Sequence, residues 1–563
     1  MGEAGLEYHE LTAHQTRKPP VTLLLGETRK RRSRISNALA TLEIGFNRET
    51  GNLYMGKFIA CLVAVALCGL AISFSPPHLS ANSQTAAVKS RVIVGAMVVD
   101  GSGRPAYSAN VRIAGDRIEK IGRFVTRADE EIIHAPGMIV APGFIDIHNH
   151  SEEGLAREPA APTQVSQGIT TVAVGPDGGS PWPIAEYLKK REEQKVAVNV
   201  LSFIGHATVR QQVMGKDYDR AATADEIAKM TKLVEQAMSE GAFGLSSGLE
   251  YDIGRRATTE ELIELARAAS RYGGIYMTHM RDEEEGMLDA LREAIRIGNQ
   301  AHLPVQISHI KMGNRNVWDQ ASTAIALVAE ARRTGVADVT ADCYPYTAWA
   351  STITILVPSR KHDDKQEVET SLRNVGGAKN VLITNCRAHP ELEGKTLEDI
   401  AQSAGSTAVE SYQMIVRDGG AGIVCSSMNE ADVRAFYRQP WVMVASDGGV
   451  GTRHPRGAGT FPRVLGRFVR ERGWLTLEEA VRKMTSAPAL RLGLYDRGVL
   501  REGMKADLVI FDAKRVIDRS TFKEPQLLSA GIERVFVNGE PVWEMGKPTG
   551  GLPGKVIRRG SAN

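Results

Sequence analysis

The chain has 563 residues, room for roughly two to four domains, and its 42% hydrophobic and 24% charged residues exclude wholesale disorder. The 69 Lys and Arg nearly cancel the 66 Asp and Glu, so the formal charge of +3 carries no nucleic-acid footprint. Five Cys are too few for a disulfide scaffold, and 55 Gly with 6% aromatics fit an α/β chain better than an array of β-sandwiches.

In chain order, residues 1–54 precede Met55 and contain the basic cluster Arg29–Arg34. Met55-Gly56-Lys57 is followed by an unbroken apolar run, Phe58–Phe74, then Ser-Pro-Pro and the small residues around Leu79-Ser80-Ala81. That order predicts a secretory signal peptide over 55–81, with Met55 as the true start and 1–54 as an upstream extension. The mature chain is then exported, periplasmic or extracellular; a retained membrane anchor is the alternative, and the only membrane association expected. Removal of Cys61 and Cys68 with this segment leaves Cys343, Cys386 and Cys425.

From Ser90 the pattern becomes short β-type runs, Val92–Val99, Val111–Ile113 and Ile118–Ile121, broken by turn clusters. Leu508–Phe511 and Val535–Trp543 match them near the other end. A small β-sandwich built from both termini, residues 90–142 and 494–545, is expected, with 546–563 as a tail. Between these parts, apolar runs alternate with helical patterns. The runs are 144–147, 169–174, 196–204, 243–246, 275–277, 305–307, 336–340 and 442–445. Capping-box signatures occur at Thr223/Glu226, Thr258/Glu261 and Thr476/Glu479. Eight strands with intervening helices predict a TIM-like (β/α)8 barrel over 143–352 and 440–493. Residues 353–439, between strands seven and eight, are too long for a barrel connection and read as an inserted small domain or lid.

The residues suited to chemistry sit at the ends of these strands. His148 and His150 close the first, and i and i+2 positions on a strand face one way. His279 ends GIYMTH, His309 ends PVQISH and Asp447 ends VMVASD. The C-terminal ends of barrel strands form the active-site mouth. Imidazole and carboxylate together suit Zn2+, with Mn2+, Ni2+ and Fe2+ as other divalent candidates. His206 ends strand three and carries no assigned role.

These segments resemble the amidohydrolase superfamily, and more closely its D-aminoacylase (N-acyl-D-amino-acid deacylase) family. The carrying motifs are GFIDIHNH (143–150), GAFGLSSGLEY (241–251), THMRDE (278–283), PVQISHIK (304–311), DCYPYTA (342–348) and the SDGG to HPR stretch from Ser446. The resemblance runs from about Val92 to Val542. It implies one or two zinc ions, with His279 and His309 at one position and His148 and His150 at a second. It also implies Asp447 as catalytic acid/base. Lys311, Arg456 and a tyrosine, Tyr344 or Tyr346, would hold the substrate carboxylate. The family commonly carries a Cys in the loop after strand two, where this chain has Asp177. Asp177 then replaces the thiolate as a metal ligand or serves only its Pro-Asp-Gly turn, in which case Glu250 is the other carboxylate candidate. The implied reaction is hydrolysis of N-acyl-D-amino acids, a small-molecule substrate. An amidohydrolase acting on dipeptides or cyclic amides, or a barrel used only for binding, is the alternative. Nothing in the sequence specifies the oligomeric state.

Overall fold

Gly95 breaks the first apolar run in two. Its φ of +80° is a left-handed conformation that glycine adopts without a Cβ penalty. The run thereby feeds two different sheets. Arg91–Val94 lies between Asn110–Ala114 and Glu131–His134 in a four-stranded sheet completed by Arg117–Gly122. Met97–Val98 joins a seven-stranded sheet in which Leu508–Phe511 runs antiparallel to Ile139–Pro142, with Val509 opposite Ala141. The two chain ends therefore share one sheet, and Ile93, Val98, Val111, Val140, Leu508 and Phe536 are buried together between the layers.

This is a computed structural model, and it describes residues 90–560. The segment 55–81 and the extension 1–54 lie outside the described residues. Among the described residues, no helix is long and apolar enough to cross a membrane.

The barrel strands are β1 (Phe144–Asp146), β2 (Ile169–Val174), β3 (Asn199–Ser202, continuing as Ile204–Gly205), β4 (Gly244–Gly248), β5 (Ile275–His279), β6 (Val305–Ile307), β7 (Val339–Cys343) and β8 (Val442–Val444). Neighbours pair in parallel in chain order; the first part of β3 pairs with β2 and the second with β4. The ring closes just beyond β8 and β1, where Asn149 bridges Gly448 in parallel and the Asp447 N–H donates to the His148 carbonyl at 3.0 Å. On β5, Ile275 and Met277 belong to one buried cluster and Tyr276 to another, as in a strand covered on both faces.

Several local expectations change. The seventh strand begins at Val339 rather than Val336: Gly335, at φ +69°, ends the preceding helix in a left-handed cap, and Val336 is an exposed β-branched residue in the connection. Thr223 and Glu226 form a reciprocal capping box, but at Thr258 and Thr476 only the Thr side chain caps. The Glu261 carboxylate is drawn instead to His206 and Arg210. Residues beyond 545 are no loose tail, because Lys547–Pro548 extends the large sheet and Val556 bridges Val200 of β3.

Between β7 and β8 stands a three-stranded antiparallel sheet of Trp349–Thr352, Gly422–Cys425 and Val381–Asn385, flanked by helices Lys365–Asn374, Leu397–Ala404 and Ala408–Arg417. This inserted unit starts four residues earlier than expected, at Trp349, since its first strand leaves β7 almost directly.

Candidate metal centre and active site

The C-terminal ends of β1, β5, β6 and β8, with the loop after β2, bring His148, His150, Asp177, His279, His309 and Asp447 together. Two groups of ligand atoms, each within 4.8 Å, share Asp177: one adds His148, His150 and Asp447, the other His279 and His309. Asp177 Oδ2 lies 3.2 Å from His148 Nε2 and 3.4 Å from both His150 Nε2 and His309 Nε2. His279 Nδ1 and His309 Nε2 face each other at 3.1 Å. Asp177, His309 and Asp447 have φ of 55°, 34° and 48°, left-handed values that place three converging side chains on sharp turns. Asp177 is therefore both a turn residue and a member of the cluster.

Burial pushes the Asp177 carboxyl up, but His148 and His309 outweigh it and hold the group well below the usual carboxylate range. Burial pushes His148 down, while Asp177, Asp342 and Asp447 more than reverse that. Such mutual dependence suits a cation, which binds the deprotonated imidazoles and replaces their protons. The residues fit a metal on a further ground: Asp177 Oδ1 is buried with no hydrogen-bond partner.

The cluster opens into a cavity of about 840 Å3 whose wall includes Lys311, Tyr344 and Arg456. Lys311 Nζ lies 5.9 Å from the Tyr344 ring centroid and the Arg456 guanidinium carbon 4.8 Å from it. Tyr344, not Tyr346, therefore stands between the two cations. Tyr346 is corrected as a site residue: its hydroxyl donates to the Pro455 carbonyl and its ring lies under Arg463, away from the cavity wall.

A model of the amidohydrolase family matches residues 131–543. The chain is 39% identical to a D-aminoacylase and 37% identical to an N-acyl-D-glutamate deacylase, both of Alcaligenes xylosoxydans xylosoxydans. The matches cover 84% and 83% of this chain, and 98% and 96% of those proteins. The chain belongs to the amidohydrolase family. Among solved structures, a D-aminoacylase that defines a novel subset of amidohydrolases superposes with a TM-score of 0.76 at 36% identity, over 83% of this chain and 99% of that one. An N-acyl-D-glutamate deacylase from Bordetella bronchiseptica, complexed with zinc and a phosphonate mimic of the tetrahedral intermediate, gives 0.76 at 34% identity, over 83% and 99% of the two chains. A dihydropyrimidinase from Brevibacillus agri shares the fold, at 16% identity and a TM-score of 0.53 over 84% of this chain and 98% of that one.

The amidohydrolase site contains residues to which sequence reasoning assigned no role, all inside the motifs that carried the resemblance. Glu283, in THMRDE, holds Lys311 Nζ at 2.5 Å and lies 3.1 Å from His309 Nδ1. Asp342, opening DCYPYTA, accepts from the His309 N–H and from Gln306, both at 2.8 Å. Tyr251 Oη lies 3.1 Å from His279 Nδ1. Gly449, in SDGG, passes the His150 backbone so closely that a Cβ would sit 2.6 Å from the His150 carbonyl carbon. His206 is buried against Glu261, at 2.9 Å, and does not line the cavity.

Proposed function

We propose that this amidohydrolase cleaves the amide bond of N-acyl-D-amino acids, releasing a carboxylic acid and a free D-amino acid. The observation that carries the reading is the meeting, in one cavity, of a His/Asp cluster centred on Asp177 with the Lys311, Arg456 and Tyr344 wall. The names of its relatives, a D-aminoacylase and deacylases of N-acyl-D-glutamate and N-acyl-D-aspartate, support the substrate class.

His148, His150, Asp177, His279 and His309 would hold one or two divalent ions, zinc first. When bound, zinc polarises the acyl carbonyl and makes water nucleophilic near neutral pH. Asp447 takes the water's proton at its carboxylate and delivers it to the departing nitrogen, the same group serving as base and then acid. Lys311 and Arg456 bind the substrate carboxylate, with Tyr344 walling the space between them. Anchoring the carboxylate at one end and the carbonyl at the other fixes which way the Cα substituent points, the geometric basis for preferring one enantiomer.

Paired N-acyl-D- and N-acyl-L-amino acids, assayed with protein of measured metal content, test the reading. Turnover of the D series with loss of activity on chelation is expected. Equal turnover of both series, or hydrolysis confined to dipeptides or cyclic amides, overturns it. The basic, apolar and small-residue order of 55–81 supports export of the mature enzyme, and N-terminal sequencing of native protein is expected to begin near residue 82. A cytosolic product that retains residue 1 overturns that part.

A further inference from the structure

His279 offers two ring nitrogens to two different environments. Nδ1 faces His309 Nε2 in the group that includes Asp177, whereas Nε2 lies 2.7 Å from Glu250 Oε2. A ring nitrogen that binds metal needs its lone pair free, so the imidazole proton must sit on the other nitrogen. An ionised carboxylate only accepts hydrogen bonds, and Glu250 therefore favours a proton on Nε2. The Tyr251 hydroxyl, 3.1 Å from Nδ1, fits either tautomer because it can donate or accept, so the Glu250 contact is the one that selects.

Glu250 is itself held from outside the barrel. Its backbone carbonyl accepts from Arg360 Nη2 at 2.7 Å, and Arg360 Nε pairs with Asp252 at 2.9 Å. Arg360 belongs to the segment inserted between β7 and β8, and its side chain also donates to the carbonyls of Thr354 and Val357. Its φ of 61° is left-handed, a conformation that persists where surrounding contacts impose it. A continuous set of contacts thus runs from the inserted unit through Arg360 and Glu250 to a metal-binding imidazole.

We infer that Glu250 is a positioning residue: it fixes His279 with the proton on Nε2 and Nδ1 turned to the metal, and Arg360 of the inserted unit holds Glu250 in place. This rests on the metal-centre reading above. Were Glu250 a metal ligand instead, its partner nitrogen on His279 would be Nε2, in a group with Glu283, and Nδ1 would be left to the Tyr251 hydroxyl, outside the Asp177 group.

The test compares the full-length apo enzyme with its E250A, E250Q and R360M variants, titrating Zn2+ against a chromogenic chelator and measuring kcat and KM. For E250A, zinc affinity is expected to fall ~10–100-fold, the scale for losing a hydrogen-bond partner behind a ligating histidine. kcat falls with it while KM stays within ~2-fold, because the carboxylate clamp is untouched. E250Q, whose amide oxygen still accepts the Nε2–H, should recover most of the affinity, and R360M should lie between wild type and E250A. Loss of a whole metal equivalent in both E250A and E250Q would make Glu250 a ligand and overturn the inference. So would unchanged zinc affinity in folded E250A and R360M. A wild-type enzyme that binds zinc but ignores N-acyl-D-amino acids overturns only the substrate reading, since the affinity comparison stands without it.

Discussion

Arg456 Nη1 lies 2.7 Å from Asp447 Oδ2, with both side chains buried. Lys311 is likewise engaged, with Glu283. These two cations therefore rest on carboxylates of the protein until a substrate carboxylate competes for them. Burial pushes the Asp447 carboxyl up, but Arg456 and the neighbouring histidines outweigh it and keep the group ionised. The residue proposed to bind substrate is thus also the one that keeps the proposed base ready.

Asp447→Asn is expected to retain bound metal while kcat falls at least ~10²-fold, because an amide cannot accept the proton. Metal analysis beside steady-state kinetics checks this. Near-normal turnover at full metal occupancy would remove Asp447 from the acid/base role.

Replacement of either clamp cation should raise KM and erase discrimination between a free acid and its methyl ester. A charge-assisted hydrogen bond is worth ~1.5–3 kcal/mol, which corresponds to roughly 10–100-fold in kcat/KM. Arg456→Lys is not a conservative change, since one ammonium cannot reproduce the planar fork that spans Asp447 and the face of Tyr344. Tyr346→Phe, by contrast, should leave acid-over-ester selectivity as it is. If both cation variants keep the wild-type ratio of acid to ester, the clamp is wrong.

Asp177 is shared by two candidate groups of metal ligands, so Asp177→Ala is expected to lower metal affinity and activity together. Asp177→Cys should restore zinc binding and narrow the metal preference, because a thiolate is softer than the carboxylate it replaces. Asp177→Asn decides between site and turn: Asn tolerates the left-handed φ of 55° and would keep a turn intact. Wild-type metal stoichiometry and rate in that variant would reduce Asp177 to its turn.

The Glu261 carboxylate is fully buried and holds both His206 and Arg210, the latter at 2.6 and 2.7 Å. Removing one partner of a buried ion pair costs ~3–5 kcal/mol, so Glu261→Ala should lower unfolding stability on that scale. Chemical denaturation measures it. Zinc affinity of the folded variant should not change, since neither His206 nor Glu261 lines the cavity. A loss below ~1 kcal/mol would mean that the cluster is dispensable.

Much of this protein is written in local pattern. Strand-length apolar runs, each closing on His148, His279, His309 or Asp447, are legible because strand alternation and the strand-end location of barrel active sites are short-range rules. Sequence motifs also carried the family. What the sequence left open are distances between segments far apart in the chain. Whether Asp177 reaches the histidines, and whether Tyr344 or Tyr346 faces Arg456, depends on how loops after different strands converge. The same limit left Glu250 only as an alternative ligand and hid Glu283, until tertiary packing sets them 2.7 Å from His279 and 2.5 Å from Lys311. Glu261 makes the point from the other side: its spacing from Thr258 promises a capping box, yet a buried arginine and histidine take the carboxylate. Local propensity is worth about a kilocalorie at such a position, whereas leaving a buried charge unpaired costs several, so the long-range partner wins.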